Sequence, residues 1–382
     1  MRYAQVFSAG LALFAMLFGA GNIVFPLALG RAMGDHIYWA LIGFVITAVI
    51  VPIIGLVAVM LYNGNYKQFL GLLGPIPGFL IALVSLILIG PFGIIPRCVT
   101  VAYAAVQWYL PWLTLFMFSL IAAALIFVLT FRAQAVATII ARFLGPLKLV
   151  LLLSIIAFGV YWYATPPHVD QTPGASILNG FLEGYATLDL LGAIFFASLI
   201  VAGLKRSMHL ERPKDLAIVG LQAGTIGGLL LGLVYLGFAV VAAMHGHSVA
   251  NVDKSQLLTA LASFILGEQA GILANITVAV ACLTTSVALT TVFANYLRDE
   301  LGKGRWPYLY CLIATICIST VMSNLGFTSI MTLIMPIVIA CYPALIVLSL
   351  VAIAHKLWGW RWIKTPVALT FIATLFSQFM WH

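Results

Sequence analysis

The chain has 382 residues, of which 64% are hydrophobic and only 7% are charged, whereas soluble domains carry roughly 25% charged residues. So few charges cannot cover the surface of a soluble protein of this length, and we interpret the chain as a polytopic protein embedded in a lipid bilayer. The net charge of +8 would suit nucleic-acid binding, but the basic residues lie in short loops between apolar runs, which argues against a nucleic-acid partner.

Long apolar runs recur along the whole chain. A membrane-spanning helix requires about 20 mostly apolar residues. That length predicts about eleven spans, at 6–29, 37–61, 79–104, 112–131, 143–164, 177–203, 216–244, 271–296, 308–323, 328–354 and 366–381. The first run is too long for the apolar part of a signal peptide, so we expect it to remain as the first span. The stretch Ser255–Leu266 is too short to cross, which predicts an interfacial or re-entrant helix.

The lysines and arginines are distributed unevenly between the two sides of the membrane. If the N-terminus is cytoplasmic, Arg31 and Lys254 fall outside, Arg97 lies within a span, and all other basic residues are cytoplasmic. This asymmetry follows the positive-inside rule and predicts a cytoplasmic N-terminus.

The five cysteines fall in apolar runs and lack the spacing of metal ligands. We expect all of them to be buried packing residues without a disulfide. They are Cys98, Cys282, Cys311, Cys317 and Cys341.

The first predicted span contains residues that break helices. Residues 18–26 read FGAGNIVFP, and inside a helix a glycine costs roughly 1 kcal/mol and a proline about 3 kcal/mol relative to alanine. We therefore predict an interruption in the first span. Alternatively, Gly19 and Gly21 only permit close helix packing.

A second interruption is predicted in the sixth span, where residues 181–192 read FLEGYATLDLLG. Two interrupted segments at corresponding places in two five-helix halves indicate an inverted-repeat transporter. We therefore predict an all-α membrane protein with one transporter domain over 1–382. Its first five-helix repeat covers 1–164, its second covers 177–354, and an extra C-terminal helix covers 366–381.

The two interruptions predict a binding site. Backbone groups exposed at membrane depth are tolerated only where they line a cavity or bind a polar ligand. A half-helix N-terminus attracts a carboxylate and unwound carbonyls bind cations. We expect the first interruption to bind the carboxylate of a small zwitterion and the second to bind its ammonium group. The predicted contacts are Gly19, Ala20, Gly21, Asn22, Gly184, Tyr185 and Thr187.

Three ionisable residues, Arg97, Glu183 and Asp189, lie at or near membrane depth. A charge there is costly and faces an interior cavity or a partner. Arg97 follows Pro96, which can bend the third span. Asp189 could pair with Arg97, hold the unwound segment or take part in a gate, whereas Glu183 could reach the outer interface.

Four motifs, in order along the chain, resemble the branched-chain amino acid:cation symporters of bacteria. They are FGAGNIVFP, IGPFGIIPRCVTVAY (Ile89–Tyr103), FLEGYATLD and ACLTTSVALTT (Ala281–Thr291). The resemblance implies a leucine-transporter-like inverted-repeat fold, a location in the bacterial cytoplasmic membrane and sodium-coupled uptake of leucine, isoleucine and valine. Two departures are that Ala104 stands where the family has a glutamate, and that the C-terminal region is one span shorter than the usual twelve.

The resemblance also implies a sodium site. Ala281, Thr284 and Thr285 have the spacing that provides one carbonyl and two hydroxyl ligands in sodium-coupled leucine-transporter folds. The matching backbone positions in the first span are Ala15 and Phe18. Neutral oxygens suit a hard cation such as sodium. The alternative is that both threonine hydroxyls donate hydrogen bonds to their own helix.

Several functions remain open beside the sodium symporter. In a proton-coupled transporter, Asp189 or Glu183 would carry the proton, and a passive channel would have a continuous pore. No catalytic motif is present, so we expect no enzyme activity and no cofactor beyond sodium as the coupling ion. Neither the oligomeric state nor the choice among leucine, isoleucine, valine and methionine follows from the sequence.

Overall fold

The computed structural model describes residues 2–131, 149–208, 210 and 212–380, and within these ranges it contains helices and no strands. The α-helices are α1 Arg2–Leu17, α2 Gly21–Met33, α3 Ile37–Val45, α4 Val51–Met60, α5 Tyr66–Leu70, α6 Pro75–Ile89, α7 Ile94–Gln107, α8 Leu115–Phe131, α9 Leu149–Tyr161, α10 Pro173–Ala186, α11 Asp189–Met208, α12 Pro213–His245, α13 Leu257–Tyr296, α14 Tyr308–Ser323, α15 Phe327–Trp358 and α16 Lys364–Met380. A π-helical turn at Ile46–Ile50 joins α3 to α4.

Helix lengths agree with a membrane protein. Six helical stretches in the described ranges are long and apolar enough to cross a bilayer, and four further apolar helices are shorter. The N-terminal part of the predicted fifth span, 143–148, lies outside the described residues. The total of eleven spans therefore stays a prediction.

Both predicted interruptions are present. The chain leaves helical geometry between Leu17 and Gly21, and again between Ala186 and Asp189. The first interruption consists of residues 18–20 and contains Gly19. The second consists of Thr187 and Leu188, and Leu188 adopts a left-handed backbone conformation with a φ of 64°.

The third predicted span is also broken, which the sequence interpretation of a continuous helix over 79–104 missed. Helix α6 ends at Ile89 and α7 begins at Ile94. The bend predicted at Pro96 is therefore wrong. The break lies instead in Gly90–Gly93, and Pro96 occupies the first turn of α7, where a missing backbone donor costs little.

The short apolar stretch before the eighth span forms a helix of its own. Leu257 begins α13, and the helix is kinked at Gly267, which has a φ of 77°. Glycine adopts this left-handed conformation without steric cost. The kink therefore separates the stretch predicted at Ser255–Leu266 from the long segment that carries ACLTTS.

The second and sixth spans pack through glycines. A methyl group at Gly180 would come within 1.9 Å of the Ala40 carbonyl oxygen, and one at Gly43 within 2.1 Å of the Ile177 carbonyl oxygen. Helices this close need small residues at the contact, as is common in membranes. Helix α10 is therefore seated directly against α3.

None of the five cysteines, which all lie in the described part of the chain, forms a disulfide. Cys98, Cys282 and Cys311 are buried, as predicted, whereas Cys341 is only partly buried. The prediction of burial is wrong for Cys317, which is exposed, because it lies on the outward face of α14, where an apolar residue would meet lipid.

Candidate functional site

The two interruptions lie against each other in the centre of the helix bundle. A methyl group at Gly21 would come within 3.3 Å of the Thr187 carbonyl oxygen. A small cavity of about 20 Å³ lies at this junction. Its lining comes from both interruptions and from α7, α11 and α13: Met16, Leu17, Gly19, Gly21, Asn22, Ile94, Arg97, Thr187, Leu188, Asp189, Gly192, Phe196, Thr285 and Leu289.

Asn22 joins the two interruptions. Its Oδ1 accepts a hydrogen bond of 2.8 Å from the Gly19 backbone N–H. Its Nδ2 donates to both carboxylate oxygens of Asp189, at 2.8 Å each. Asn22 is 2% exposed, so these bonds are shielded from water and replace helical hydrogen bonds that the break removes.

Tyr235 of α12 completes this cluster. Its hydroxyl donates to Asp189 Oδ2 at 2.7 Å and also contacts Asn22 Nδ2. Asp189 is the first residue of α11, where the helix dipole stabilises a negative charge. Sequence reasoning missed Tyr235. The available signal was a tyrosine inside an apolar span, since a buried tyrosine hydroxyl needs a partner.

Arg97 approaches the second interruption from α7. It is fully buried, and its Nη1 donates to the Ala186 carbonyl oxygen at 2.7 Å. The Met331 sulfur lies 3.5 Å from the same nitrogen, and the Phe25 ring centre lies 5.5 Å from Cζ. Arg97 thus supplies a donor to a carbonyl that α10 leaves without a helical partner.

Arg97 and Asp189 do not form the ion pair that the sequence suggested. Among the described residues, the ion pairs within 4.0 Å include neither side chain. Asp189 instead uses its oxygens for Asn22 and Tyr235. The two charges line the same cavity from different sides without neutralising one another directly.

The structure brings only part of the predicted substrate set to the cavity. Gly19, Gly21, Asn22 and Thr187 line it, whereas the other three lie elsewhere. Ala20 is buried outside the lining.

Gly184 and Tyr185 have packing contacts. A methyl group at Gly184 would meet Thr47 Oγ1 at 1.8 Å, and the Tyr185 ring packs against the tilted ring of Tyr342 with ring centres 5.1 Å apart. Both residues lie on the part of α10 that packs against other helices.

Of the sodium ligands predicted on α13, Thr285 lines the cavity. The hydroxyls of Thr284 and Thr285 donate to the Ala281 carbonyl oxygen at 2.8 and 3.1 Å. These are the local hydrogen bonds of the alternative interpretation. A methyl group at Gly19 would lie 3.3 Å from Thr285 Cγ2, so α13 touches the interruption at this threonine.

Ala15 lies in the last turn of α1, and Phe18 directly follows that helix. In a continuous helix the Gly19 N–H would donate to the Ala15 carbonyl oxygen. Here it donates to Asn22 Oδ1 instead. The Ala15 carbonyl therefore loses its regular helical donor, whereas the Phe18 N–H still donates to the Phe14 carbonyl oxygen at 2.9 Å.

Glu183 lies outside the cavity. Its Oε1 forms an ion pair of 3.1 Å with Nζ of Lys254, and both side chains are partly exposed. This contact agrees with the expected position near the outer interface.

A second ion pair joins the loops that flank the two broken helices. His168 Nδ1 lies 2.6 Å from Asp35 Oδ2, and the Val169 N–H donates to Asp35 Oδ1 at 3.1 Å. The hydrogen bond to Asp35 raises the pKa of His168, and the same bond lowers the pKa of Asp35. The segment after α2 is thereby tied to the segment before α10.

A larger groove of about 400 Å³ lies away from the interruptions, between α6, α15 and α16. Its lining is almost entirely apolar, with Lys364 as its charged member. Such a surface suits acyl chains better than a zwitterion, since a charged ligand needs several polar partners.

Comparisons with known proteins agree with this architecture. The chain is 30% identical to the branched-chain amino acid permease BraB of Bacillus subtilis over 365 residues, covering 92% of this chain and 80% of the relative. It is 31% identical to the branched-chain amino acid transport system 3 carrier protein of Pseudomonas aeruginosa, covering 97% and 85%. It is 29% identical to the permease BrnQ of Escherichia coli K12, covering 99% and 86%.

Solved structures show the same fold at low sequence identity. The inward-facing conformation of Mhp1 matches with a TM-score of 0.69 at 13% identity, covering 99% of this chain and 89% of the other. MhsT in complex with L-phenylalanine matches with a TM-score of 0.60 at 15% identity, covering 98% of each chain. The fold is therefore that of leucine-transporter-like proteins, as the broken first and sixth helices predicted. Because the model of the branched-chain amino acid transport protein family matches residues 2–381, the chain belongs to that family.

Proposed function

We propose that the chain is a secondary active symporter that imports branched-chain amino acids together with sodium by alternating access. The observation that carries this proposal is the buried junction of two broken helices at Asn22 and Asp189, in a chain of the branched-chain amino acid transport family. Leucine, isoleucine and valine are the proposed substrates, with methionine as a further candidate. The proposed location is the bacterial cytoplasmic membrane, with a cytoplasmic N-terminus.

The size of the cavity supports a carrier rather than a channel. A cavity of about 20 Å³ has room for about one water molecule, so an amino acid enters only when the surrounding helices separate. In a carrier that opens to one side of the membrane at a time, the helices around the cavity separate in every transport cycle.

Sodium is proposed as the co-transported ion, bound between the first interruption and α13. The Ala15 carbonyl has lost its helical donor to Asn22, and Thr285 contacts Gly19 across the gap. The ligand set of Ala15, Phe18, Ala281, Thr284 and Thr285 offers neutral oxygens, which suit a hard monovalent cation.

Proton coupling is the second candidate, because Asp189 is the carboxylate that lines the cavity within the described part of the chain. Its protonation would remove the charge that holds Asn22 and Tyr235. Asp189 could therefore link a proton to the position of both broken helices.

Reconstitution into proteoliposomes separates the two ions. Leucine uptake is measured with an inward sodium gradient at equal pH, and separately with an inward proton gradient without sodium. One charge moving across about 100 mV supplies roughly 2.3 kcal/mol, or about 50-fold accumulation. The proposal predicts accumulation driven by sodium. Accumulation driven only by protons would favour the Asp189 mechanism, and downhill flux without accumulation would favour a channel.

Threonine variants test the sodium ligands. Thr284→Ala and Thr285→Ala are expected to raise the sodium concentration for half-maximal uptake, with a smaller change in leucine affinity at saturating sodium. Thr291→Ala is the matched control, since its hydroxyl makes the same kind of bond, to Val287 at 2.9 Å, on the same helix. Unchanged sodium dependence in both ligand variants would rule out the assignment.

A further inference from the structure

The guanidinium of Arg97 is only half satisfied by the protein. Its Nη1 is held by the Ala186 carbonyl oxygen, but Nε and Nη2 are buried without a hydrogen-bond partner among the described residues. Arg97 has 0% exposure, so bulk water does not reach these donors. Unsatisfied buried donors on a charged group are costly, and a native protein that retains them needs a reason.

The two unpartnered nitrogens form one edge of the guanidinium. Nε–H and the neighbouring Nη2–H point in parallel, at the spacing of the two oxygens of a carboxylate. Nη1 lies outside this edge and is the nitrogen already bound to the second interruption. The Arg97 side chain is thus fixed through Nη1, and its Nε–H and Nη2–H remain available as a pair of parallel donors.

Within the part of the chain that the structure describes, no acidic side chain occupies this edge. Asp189 is the acidic residue that shares the cavity, and its oxygens accept hydrogen bonds from Asn22 and Tyr235. The Phe25 ring centre lies 5.5 Å from Cζ, which supports the cation over one face but offers no hydrogen-bond acceptor at the edge. A buried positive charge with an open edge is a site for an anion that comes from the cavity.

We propose that Nε and Nη2 of Arg97 bind the carboxylate of the transported amino acid when the helices separate. This inference rests on the proposed function and replaces a carboxylate site built from the Gly19–Gly21 backbone alone. Because Nη1 holds the Ala186 carbonyl, the substrate carboxylate and the second interruption share one guanidinium. Substrate binding is therefore transmitted to the junction of α10 and α11.

Wild-type protein provides the first test. Competition with radiolabelled leucine is measured for leucine, leucinamide and leucinol, which share the ammonium group and side chain but differ at the carboxylate. The proposal predicts that leucinamide and leucinol bind more weakly than leucine by on the order of 100-fold. Equal binding of leucine and leucinamide would overturn it without requiring any variant to fold.

Variants assign the preference to Arg97. Arg97→Lys keeps the charge but loses the two-pronged edge, and Arg97→Gln removes the charge. In both, the preference for leucine over leucinamide is expected to fall below about 5-fold. Arg31→Lys is the control, because Arg31 donates to the carbonyls of Val249 and Val252 away from the cavity, and it should keep the wild-type preference.

The ratio of the affinities for leucine and leucinamide distinguishes carboxylate recognition by Arg97 from a purely structural role of this residue. A purely structural role of Arg97 would weaken leucine and leucinamide equally, and an unchanged ratio in Arg97→Lys would overturn the proposal. An inorganic anion on Arg97 would appear as chloride-dependent stability of the wild type that Arg97→Gln loses, with no carboxylate preference, and it would overturn the proposal as well.

The same measurements distinguish failure of this inference from failure of the proposed function. A wild type that neither binds nor transports leucine would contradict the function and this inference together. A wild type that transports leucine with a carboxylate preference independent of Arg97 would contradict only the role of Arg97.

Discussion

The two interruptions that form the site are stabilised in opposite ways. The first is held by its own sequence, since Asn22 caps the Gly19 N–H three residues away and glycines occupy the tightest positions. The second contains no glycine at its turning residue, Leu188, and its free carbonyl at Ala186 is satisfied by Arg97 from another span.

This difference indicates which interruption can respond to a ligand. A leucine in the left-handed region costs roughly 1–2 kcal/mol, and Leu188 is held there with 0% exposure by the surrounding helices. The second interruption depends on the assembled fold, so a change at Arg97 or Asp189 alters its support. The first interruption has a local hydrogen bond of its own, from the Gly19 N–H to Asn22.

The largest effect is expected from filling the junction where the two interruptions meet. Gly21→Leu should reduce leucine uptake to background, because even a methyl group would lie 3.2 Å from the Phe25 ring and 3.3 Å from the Thr187 carbonyl. Uptake and membrane insertion are measured together. Gly203→Leu is the control, since nothing lies within 4 Å of a methyl group there. Near-normal uptake by an inserted Gly21→Leu protein would remove this segment from the site.

Two variants compare the hydrogen bonds of Asn22 with the single hydrogen bond from Tyr235 to Asp189. Asn22→Ala removes the cap on Gly19 and both bonds to Asp189, and it should lower the free energy of unfolding by about 2–3 kcal/mol. Tyr235→Phe removes only one donor to Asp189, and the expected loss is about 1 kcal/mol. Denaturant unfolding in detergent measures both. Equal losses would show that the cap on Gly19 and the two bonds from Asn22 to Asp189 together stabilise the fold no more than the Tyr235 hydroxyl does.

The strain at Leu188 can be separated from its burial. Leu188→Ala loses the buried side chain but keeps a strained backbone, whereas Leu188→Gly loses both. The glycine variant should therefore be more stable than the alanine variant by about 1 kcal/mol. At the neighbouring helical position, Leu190→Gly should be less stable than Leu190→Ala by about 1 kcal/mol. If the glycine variant were less stable than the alanine variant at both positions, the backbone at Leu188 would not be strained.

The smallest effect concerns the loops that join the two broken helices. The raised pKa of His168 and the lowered pKa of Asp35 mean that their ion pair stabilises the fold fully between the ordinary pKa values of aspartate, about 3.9, and histidine, about 6.5. This contribution is lost as the pH rises through the raised value. His36 and Asp170 are the other titratable groups nearby.

The corresponding measurement compares melting temperatures of wild type and His168→Gln. A small difference is expected at pH 5.5 and none at pH 9. A difference that persists at pH 9 would assign the effect to packing rather than charge.

Sequence reasoning recovered the features that are encoded locally. The glycines and asparagine of FGAGN predicted the first interruption within a few residues. The motif FLEGYATLDLLG predicted the second only as a stretch of twelve residues, because its turning residue is a leucine. The pairing of Asp189 with Tyr235 was not predictable, because the two residues lie 46 positions apart and a tyrosine in an apolar span indicates only that its hydroxyl needs some partner. The break at Gly90–Gly93 was readable from its glycines and proline, but an apolar run of spanning length favoured a continuous helix.

Arg97 also bears on how the chain is made. Its carbonyl partner at Ala186 lies 89 residues further along the chain, so the third span leaves the translocon before that partner has been synthesised. An arginine at the centre of a span costs roughly 2.5–3.5 kcal/mol on the insertion scale, and each leucine, isoleucine, phenylalanine or valine returns about 0.3–0.6 kcal/mol. Helix α6, read as PIPGFLIALVSLILI, carries ten such residues and can offset the arginine. The apolar helix α6 thereby allows Arg97 to insert into the bilayer before its partner is made. The bond to the Ala186 carbonyl oxygen forms later, once the sixth span has been inserted.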